Sequence, residues 1–271
     1  MMNRAYAFLN LLSVLFAVFV NYASQMGLLG APTVGAISRR YETYFTPAPY
    51  AFAIWGPIFL ALLAFAGYGI YRLTRYRDGN DFIKRSAPWF AFANLLNATW
   101  VLSFTHDFIG CSFMIILGLL SCLVVVIRKL DMERWDAPIG IIAFVWWPIC
   151  LYAGWITVAT LANGAVYFRS LGWDGGTLGP ETWTLTLILL AAGLNAYLVL
   201  SRNMREFAAV GIWALAAIGM RHQGGNWALF LAAMVSAAAL GVLIAWHGYR
   251  NRATNPFIKL KQRLGAPHRK T

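Results

Sequence analysis

Apolar residues run along the chain in eight long blocks separated by short polar stretches. The blocks cover residues 7–29, 51–71, 88–105, 111–127, 138–168, 182–200, 207–220 and 226–249. A helix needs about 20 apolar residues to cross a bilayer, so most of these blocks are long enough. The expected fold class is therefore all-α, a polytopic transmembrane helical bundle of about eight spans. The seventh block is the shortest. The first is too long for the apolar region of a signal peptide, and it carries Asn10, Asn21 and Gln25, so it is expected to be a retained helix. Pro47 and Pro49 hold the approach to the second span extended. Pro57 lies inside an apolar block and predicts a kink or a local widening, and Pro148 predicts a kink. The loop over residues 30–50 is long enough to fold over a helix end. The loop over residues 169–181 is Gly-rich and expected to be flexible.

Composition agrees with this pattern. The 271 residues are 60% hydrophobic and 12% charged, and the mean hydropathy is +0.60. Soluble domains carry about twice that charged fraction. The net charge of +12 raises the question of nucleic acid, but the basic residues sit in short loops and the tail, and topology accounts for them. With the N-terminus inside, 18 of the 22 Lys and Arg fall on inside segments, and only Arg39, Arg40, Arg169 and Arg221 fall outside. This asymmetry places both termini in the cytoplasm. The expected location is a bacterial inner membrane, with the lipid bilayer as partner and no nucleic acid. The basic tail, residues 250–271, alternates apolar and basic positions over 255–264 and is expected to rest on anionic headgroups. Cys111, Cys122 and Cys150 lie in apolar blocks with no metal-ligand spacing.

The spans hold no acidic residue at mid-depth, which argues against a carboxylate-driven pump. The four histidines lie in turns, at a helix end and in the tail, and no nucleophile elbow or phosphate loop appears. What the spans do hold is Trp, Phe and Asn. Phe52, Trp55 and Phe59 recur at i, i+3, i+7 and share one helical face. Asn97, Trp100 and Phe104 do the same in the third span. Trp155, Ala159 and Asn163 fall at i, i+4, i+8 in the fifth. Each Asn needs a partner inside a bilayer, so helix glue and a polar handle beside an aromatic pocket are both open readings.

These three segments resemble the tryptophan-rich sensory protein family, also called TspO/MBR or translocator protein. Residues 97–104 are similar to its third-helix pattern of Asn, two residues, Trp, three residues and an aromatic. Residues 155–163 are similar to its fifth-helix Trp, Ala and Asn. Residues 47–59 are similar to its proline-rich, aromatic second-helix segment. The chain departs from the family at Phe45-Thr46-Pro47, where the family has Trp before its prolines. The resemblance covers about residues 7–168 and implies a five-helix core (residues 1–168) whose pocket binds a hydrophobic small molecule. That ligand would be a tetrapyrrole (a porphyrin or haem-like molecule) or a sterol-like lipid, with no cofactor required. The implied ligand-binding residues are Phe52, Trp55, Phe59, Asn97, Trp100, Phe104, Trp155, Ala159 and Asn163. Arg39 and Arg40, on the long loop, are expected at the outer mouth, where they would meet a ligand's carboxylates.

Residues 169–249 form three additional helices with no counterpart in short family members. Ala233, Ala237 and Gly241 recur every fourth residue, and Ala208, Gly211 and Ala214 crowd the seventh block, so these helices are expected to pack closely as a structural layer. Asn195 reads as packing glue. The family resemblance implies a homodimer. The added helices either occupy its surface or leave it to form elsewhere. The leading function is a ligand-binding sensory or regulatory membrane protein that is not an enzyme, and the alternative is a small-molecule or lipid transporter. Light-driven porphyrin breakdown is implied by the resemblance alone.

Overall fold

The computed structural model describes residues 2–76, 79–173 and 175–251. The expected headgroup contact of residues 252–271 lies outside them. Nine helices of seven residues or more are joined by turns, and the described residues contain no strand. They are α1 (Met2–Gln25), α2 (Val34–Arg40), α3 (Trp55–Arg75), α4 (Asp81–Thr105), α5 (Ile109–Lys129), α6 (Trp147–Ser170), α7 (Gly179–Arg202), α8 (Arg205–Arg221) and α9 (Trp227–Arg250). All but α2 are long.

Six helical segments are long and apolar enough to cross a membrane. The two long helices outside that set are α4 and α8. Both are packed between neighbours, α4 against α1 and α5, and α8 against α6, α7 and α9. A helix flanked on its sides does not need an apolar surface all round. Thus α4 keeps Ser86, Asn94 and Asn97 fully buried. Asn94 Nδ2 donates to the Ser13 hydroxyl at 3.1 Å, and Asn21 Nδ2 donates to Asn97 Oδ1 at 2.7 Å. The first two spans' lipid-facing surface, by contrast, exposes Phe8, Leu12, Phe19 and Leu60.

Helices α1, α3, α4, α5 and α6 pack as one group, and α7, α8 and α9 as a second. The groups meet mainly where α6 lies against α8. Gly154 makes that meeting close: a Cβ there would stand 2.7 Å from the Phe207 carbonyl oxygen. Gly211 does the same on α8, where a Cβ would overlap the buried Asn195 side chain. Small residues at a helix crossing let the backbones approach.

Three local features differ from the sequence expectation. Pro57 falls in the first turn of α3, after a 3-10 turn over Pro49–Ile54. First-turn N–H groups have no intrahelical partner to lose, so no mid-helix kink is required. Ahead of Pro148 the chain widens into a π-helical turn, Ile142–Trp146, with the Trp147 N–H donating to the Ile142 carbonyl. A proline lacks the donor an α-turn needs, and the wider turn absorbs the mismatch. Helix α4 starts seven residues before the expected block. Its first two turns carry Asp81, Lys84 and Arg85, and Pro88 is inside it.

The long loop does fold over a helix end. Thr33 caps α2 by accepting from the Ala36 N–H at 3.2 Å, and α2 packs on α4. Phe45 is fully buried. The Ala48 N–H donates to the Ala217 carbonyl at 3.0 Å, and the Trp213 indole N–H donates to the Ala51 carbonyl at 3.1 Å. The second helix group therefore also fastens the loop that leads into α3.

Candidate functional site

A cavity of about 640 Å³ opens between the long loop and helices α3, α4, α5 and α6. The 3-10 turn supplies Phe52, and α3 opens with Trp55. Helix α4 supplies Trp100 and Phe104, stacked at 5.2 Å with their planes 19° apart. Helix α6 supplies Trp155, Ala159 and Asn163 from successive turns, and α5 adds Ile116. Val34 and Ser38 of α2, with Thr46 and Pro47, form the loop side.

The aromatic wall is built edge to face. Trp155 meets Phe52 at 6.2 Å and 81°, and Trp55 at 6.4 Å and 82°. Such pairs hold one another's orientation, because the positive edge of one ring faces the negative face of the next. The Trp100 indole N–H donates to Asn163 Oδ1 at 2.7 Å. The Ser112 hydroxyl lies 3.2 Å from Asn163 Nδ2. Asn163 thus orients Trp100, and its amide oxygen is already engaged. The wall that remains is mostly hydrocarbon and indole. Among its few polar groups are the Ser38 and Thr46 hydroxyls, and Thr46 already accepts from the Thr43 N–H at 3.0 Å.

Seven of the eleven residues singled out from sequence line this cavity: Phe52, Trp55, Trp100, Phe104, Trp155, Ala159 and Asn163. Phe59 stacks on Trp55 at 5.0 Å without lining it. Asn97 lies one turn deeper on α4, bonded to Asn21, and its buried Nδ2 has no partner among the described residues. Arg40 pairs with Asp107 at 2.8 Å, which ties α2 to the turn between α4 and α5. Arg39 is exposed on α2 and does not line the cavity. The Tyr41 hydroxyl is held above its usual pKa, first by its hydrogen bond to Asp107 and then by burial. Reasoning from sequence missed Ser38, Thr46 and Val34. Their approach depends on how the loop folds, and helical spacing carries no signal for that.

A second, polar cavity of about 720 Å³ lies at the opposite end of the bundle. It gathers Glu133, Trp146, Trp147, Arg205, Glu206 and His247 from segments far apart in the chain. Burial, followed by the neighbouring Glu206 charge, raises the Glu133 carboxyl to about 8. Glu206 Oε2 and Arg205 Nε are buried without hydrogen-bond partners among the described residues. The described residues contain no group of His, Cys, Asp and Glu able to hold a metal ion.

Comparison with known proteins gives one family. The model of a family described as TSPO-like protein matches residues 7–246, reaching into α9. No curated protein and no solved structure matches the chain.

Proposed function

The chain belongs to the TSPO-like protein family, as an integral membrane protein, and from that premise we propose that its aromatic cavity binds a flat hydrophobic ligand, a tetrapyrrole or a sterol-like lipid. The observation that carries this reading is the convergence of Phe52, Trp55, Trp100, Phe104 and Trp155 on one cavity of about 640 Å³. Ligand sites are typically lined by apolar and aromatic side chains with few polar groups. A macrocycle or fused-ring ligand would lay its faces on the indoles, and its polar edge would turn toward Ser38 and Thr46. The protein's role on this reading is sensory or regulatory. Both termini lie in the cytoplasm, which puts the cavity near the outer ends of the helices.

The test is a porphyrin titration of the detergent-purified protein, read as a saturable Soret band, alongside its melting temperature. Trp155→Phe keeps most of the bulk and breaks no side-chain hydrogen bond seen here, so it is a cleaner probe than Trp100→Phe. Losing one well-packed aromatic contact weakens binding by roughly 1–3 kcal/mol, about 5- to 150-fold. Trp227→Phe, on exposed Trp227 at the start of α9, is the control and should bind as the parent does. Unchanged affinity in Trp155→Phe with a lowered melting temperature would make Trp155 a packing residue and defeat the assignment.

A further inference from the structure

Helices α5 and α7 both pack on α6 but barely touch each other. The gap between them is a groove on the side of the bundle, running to the end where both helices finish. Its walls are Val124 and Ile127 of α5 and Leu194 and Leu198 of α7. Its floor is Ala153 and Thr157 of α6, both buried. The Thr157 hydroxyl donates to the Ala153 carbonyl at 2.8 Å, so the floor offers hydrocarbon to whatever lies in the groove. Val124 and Leu194 remain exposed along it, on helices apolar enough to face lipid.

Three arginines close the groove at that end. Arg128 comes from the last turn of α5, Arg202 from the last turn of α7, and Arg134 from the loop after α5. Asn203, in the left-handed conformation just past α7, donates from Nδ2 to the Glu133 carbonyl at 2.9 Å. That bond ties the loop to the end of α7 and keeps Arg134 at the groove. Arg134 is partly engaged, 3.8 Å from Asp131, and both side chains are more than half exposed. Arg202 differs: its Nη1 is buried and has no hydrogen-bond partner among the described residues. A basic residue in the last turn of a helix is ordinary, because it meets the helix dipole and the positive-inside bias. A buried guanidinium N–H left unpaired is not, because such a donor costs stability. Among the described residues the groove's lining holds three guanidiniums and no carboxylate. Glu133 lines the polar cavity instead.

We propose that this groove binds an anionic phospholipid, with Arg202 and Arg128 at its phosphate and one acyl chain lying between α5 and α7. The guanidinium fork matches the paired oxygens of a phosphate, and basic pockets between transmembrane helices suit acidic headgroups. A zwitterionic lipid fits less well, because its ammonium would lie among three like charges. The lipid would cover the lateral gap between α5 and α7 without entering the aromatic cavity, so the proposal does not depend on what that cavity binds. The competing account is ordinary boundary lipid drawn by the surface field, which is worth about fivefold in affinity per Arg.

The test uses full-length protein in a maltoside detergent, titrated with phosphatidylglycerol or phosphatidylcholine of matched acyl chains and read by native mass spectrometry. Phosphatidylglycerol should saturate one tight site per chain and bind at least about tenfold more tightly than phosphatidylcholine. Arg202→Gln should lose at least about tenfold of that affinity, as expected for a charge-assisted bond to a phosphate. Arg128→Gln, at an exposed position, is the second variant and should lose more than about fivefold. Arg75→Gln is the control, since Arg75 is exposed in the last turn of α3 at the same end of the bundle and does not line the groove. It should lose less than about fivefold. Soluble glycerol phosphate should not displace the lipid. Displacement at matched concentration would make this a site for free phosphate esters and overturn the proposal. Equal affinity for the two lipids, or equal losses in all three variants, would assign the lipid to the general surface field and overturn it too. So would a lipid-free dimer that Arg202→Gln dissociates, because a second copy of the chain would then cover the groove.

Discussion

The two ends of this bundle hold cavities of opposite chemistry. The one under the long loop is walled by indole and phenyl rings, and its one buried amide on the lining, Asn163, is spent holding Trp100. The one at the other end gathers Glu133, Glu206, Arg205 and His247, and leaves Arg205 Nε and Glu206 Oε2 without hydrogen-bond partners among the described residues. The first is pre-organised for an apolar guest, because its rings fix one another and ask for no hydrogen bond. The second is electrostatically unsettled, and its free energy depends on where protons sit. A bilayer protein can keep an apolar cavity at little electrostatic cost, but a half-buried carboxylate pair makes stability respond to pH.

That contrast predicts its largest effect at the polar end. Glu133 has a raised pKa of about 8 in the folded protein, so folding takes up a proton at intermediate pH. Stability is highest below about pH 4.5, falls as pH rises through the folded value near 8, and is lowest above it. The span of the change is at most about 5 kcal/mol, and solvent at this partly exposed carboxyl reduces it. Melting temperature measured from pH 5 to 9 should fall, and Glu133→Gln should flatten the profile. A profile that stays steep in Glu133→Gln would assign the proton elsewhere.

The seam between the two helix groups comes next. Gly154→Ala places a methyl 2.7 Å from the Phe207 carbonyl oxygen, and overpacking of this kind costs about 1–3 kcal/mol. The melting temperature should drop. Because the second group also fastens the loop through Trp213 and Ala217, porphyrin affinity should weaken with it. If affinity is untouched in the destabilised variant, the loop side of the cavity is independent of α8.

How much of this was readable in advance differs between the two ends for a physical reason. The aromatic cavity draws its residues from single helical faces, so the spacing of Trp100 with Phe104, and of Trp155 with Ala159 and Asn163, carried them. Helical phase does not report depth, however, and Asn97 shares the face of Trp100 yet lies a turn away, bonded to Asn21. Arg40 left the mouth because Asp107 stands across from it in a turn that sequence spacing does not bring near. The polar cavity takes Glu133 from a loop, Trp147 after a π-turn, Glu206 from a first turn and His247 from a last turn, and no local pattern joins these four. The eight long helices followed from the apolar blocks. The start of α4 did not, because its first turns mix exposed charges with buried apolar residues.

At the aromatic end, Asn163→Ala would remove the acceptor of the Trp100 N–H and the partner of Ser112. Leaving buried donors unpaired costs about 1–2 kcal/mol, read as a lower melting temperature with weaker porphyrin binding. Binding that survives while stability falls would show that Trp100 keeps its place without Asn163. The smallest effect belongs to Arg40→Ala, since both partners of that ion pair are well exposed. The change should be below about 1 kcal/mol and should shrink further with added salt. A larger loss would mean that this pair holds the lid over the cavity.

The most direct measurement fills one cavity and leaves the other alone. Ala159 lines the aromatic cavity from α6, and Ala159→Phe would put a ring where the ligand is proposed to lie. Glu206→Gln alters the polar cavity and nothing in the aromatic one. Porphyrin titrations of the two variants, each confirmed folded by its melting curve, separate the sites. The expected result is loss of saturable binding in Ala159→Phe and parental affinity in Glu206→Gln. Parental affinity in a folded Ala159→Phe protein would contradict the central claim, because the ligand would then be binding somewhere other than among these rings.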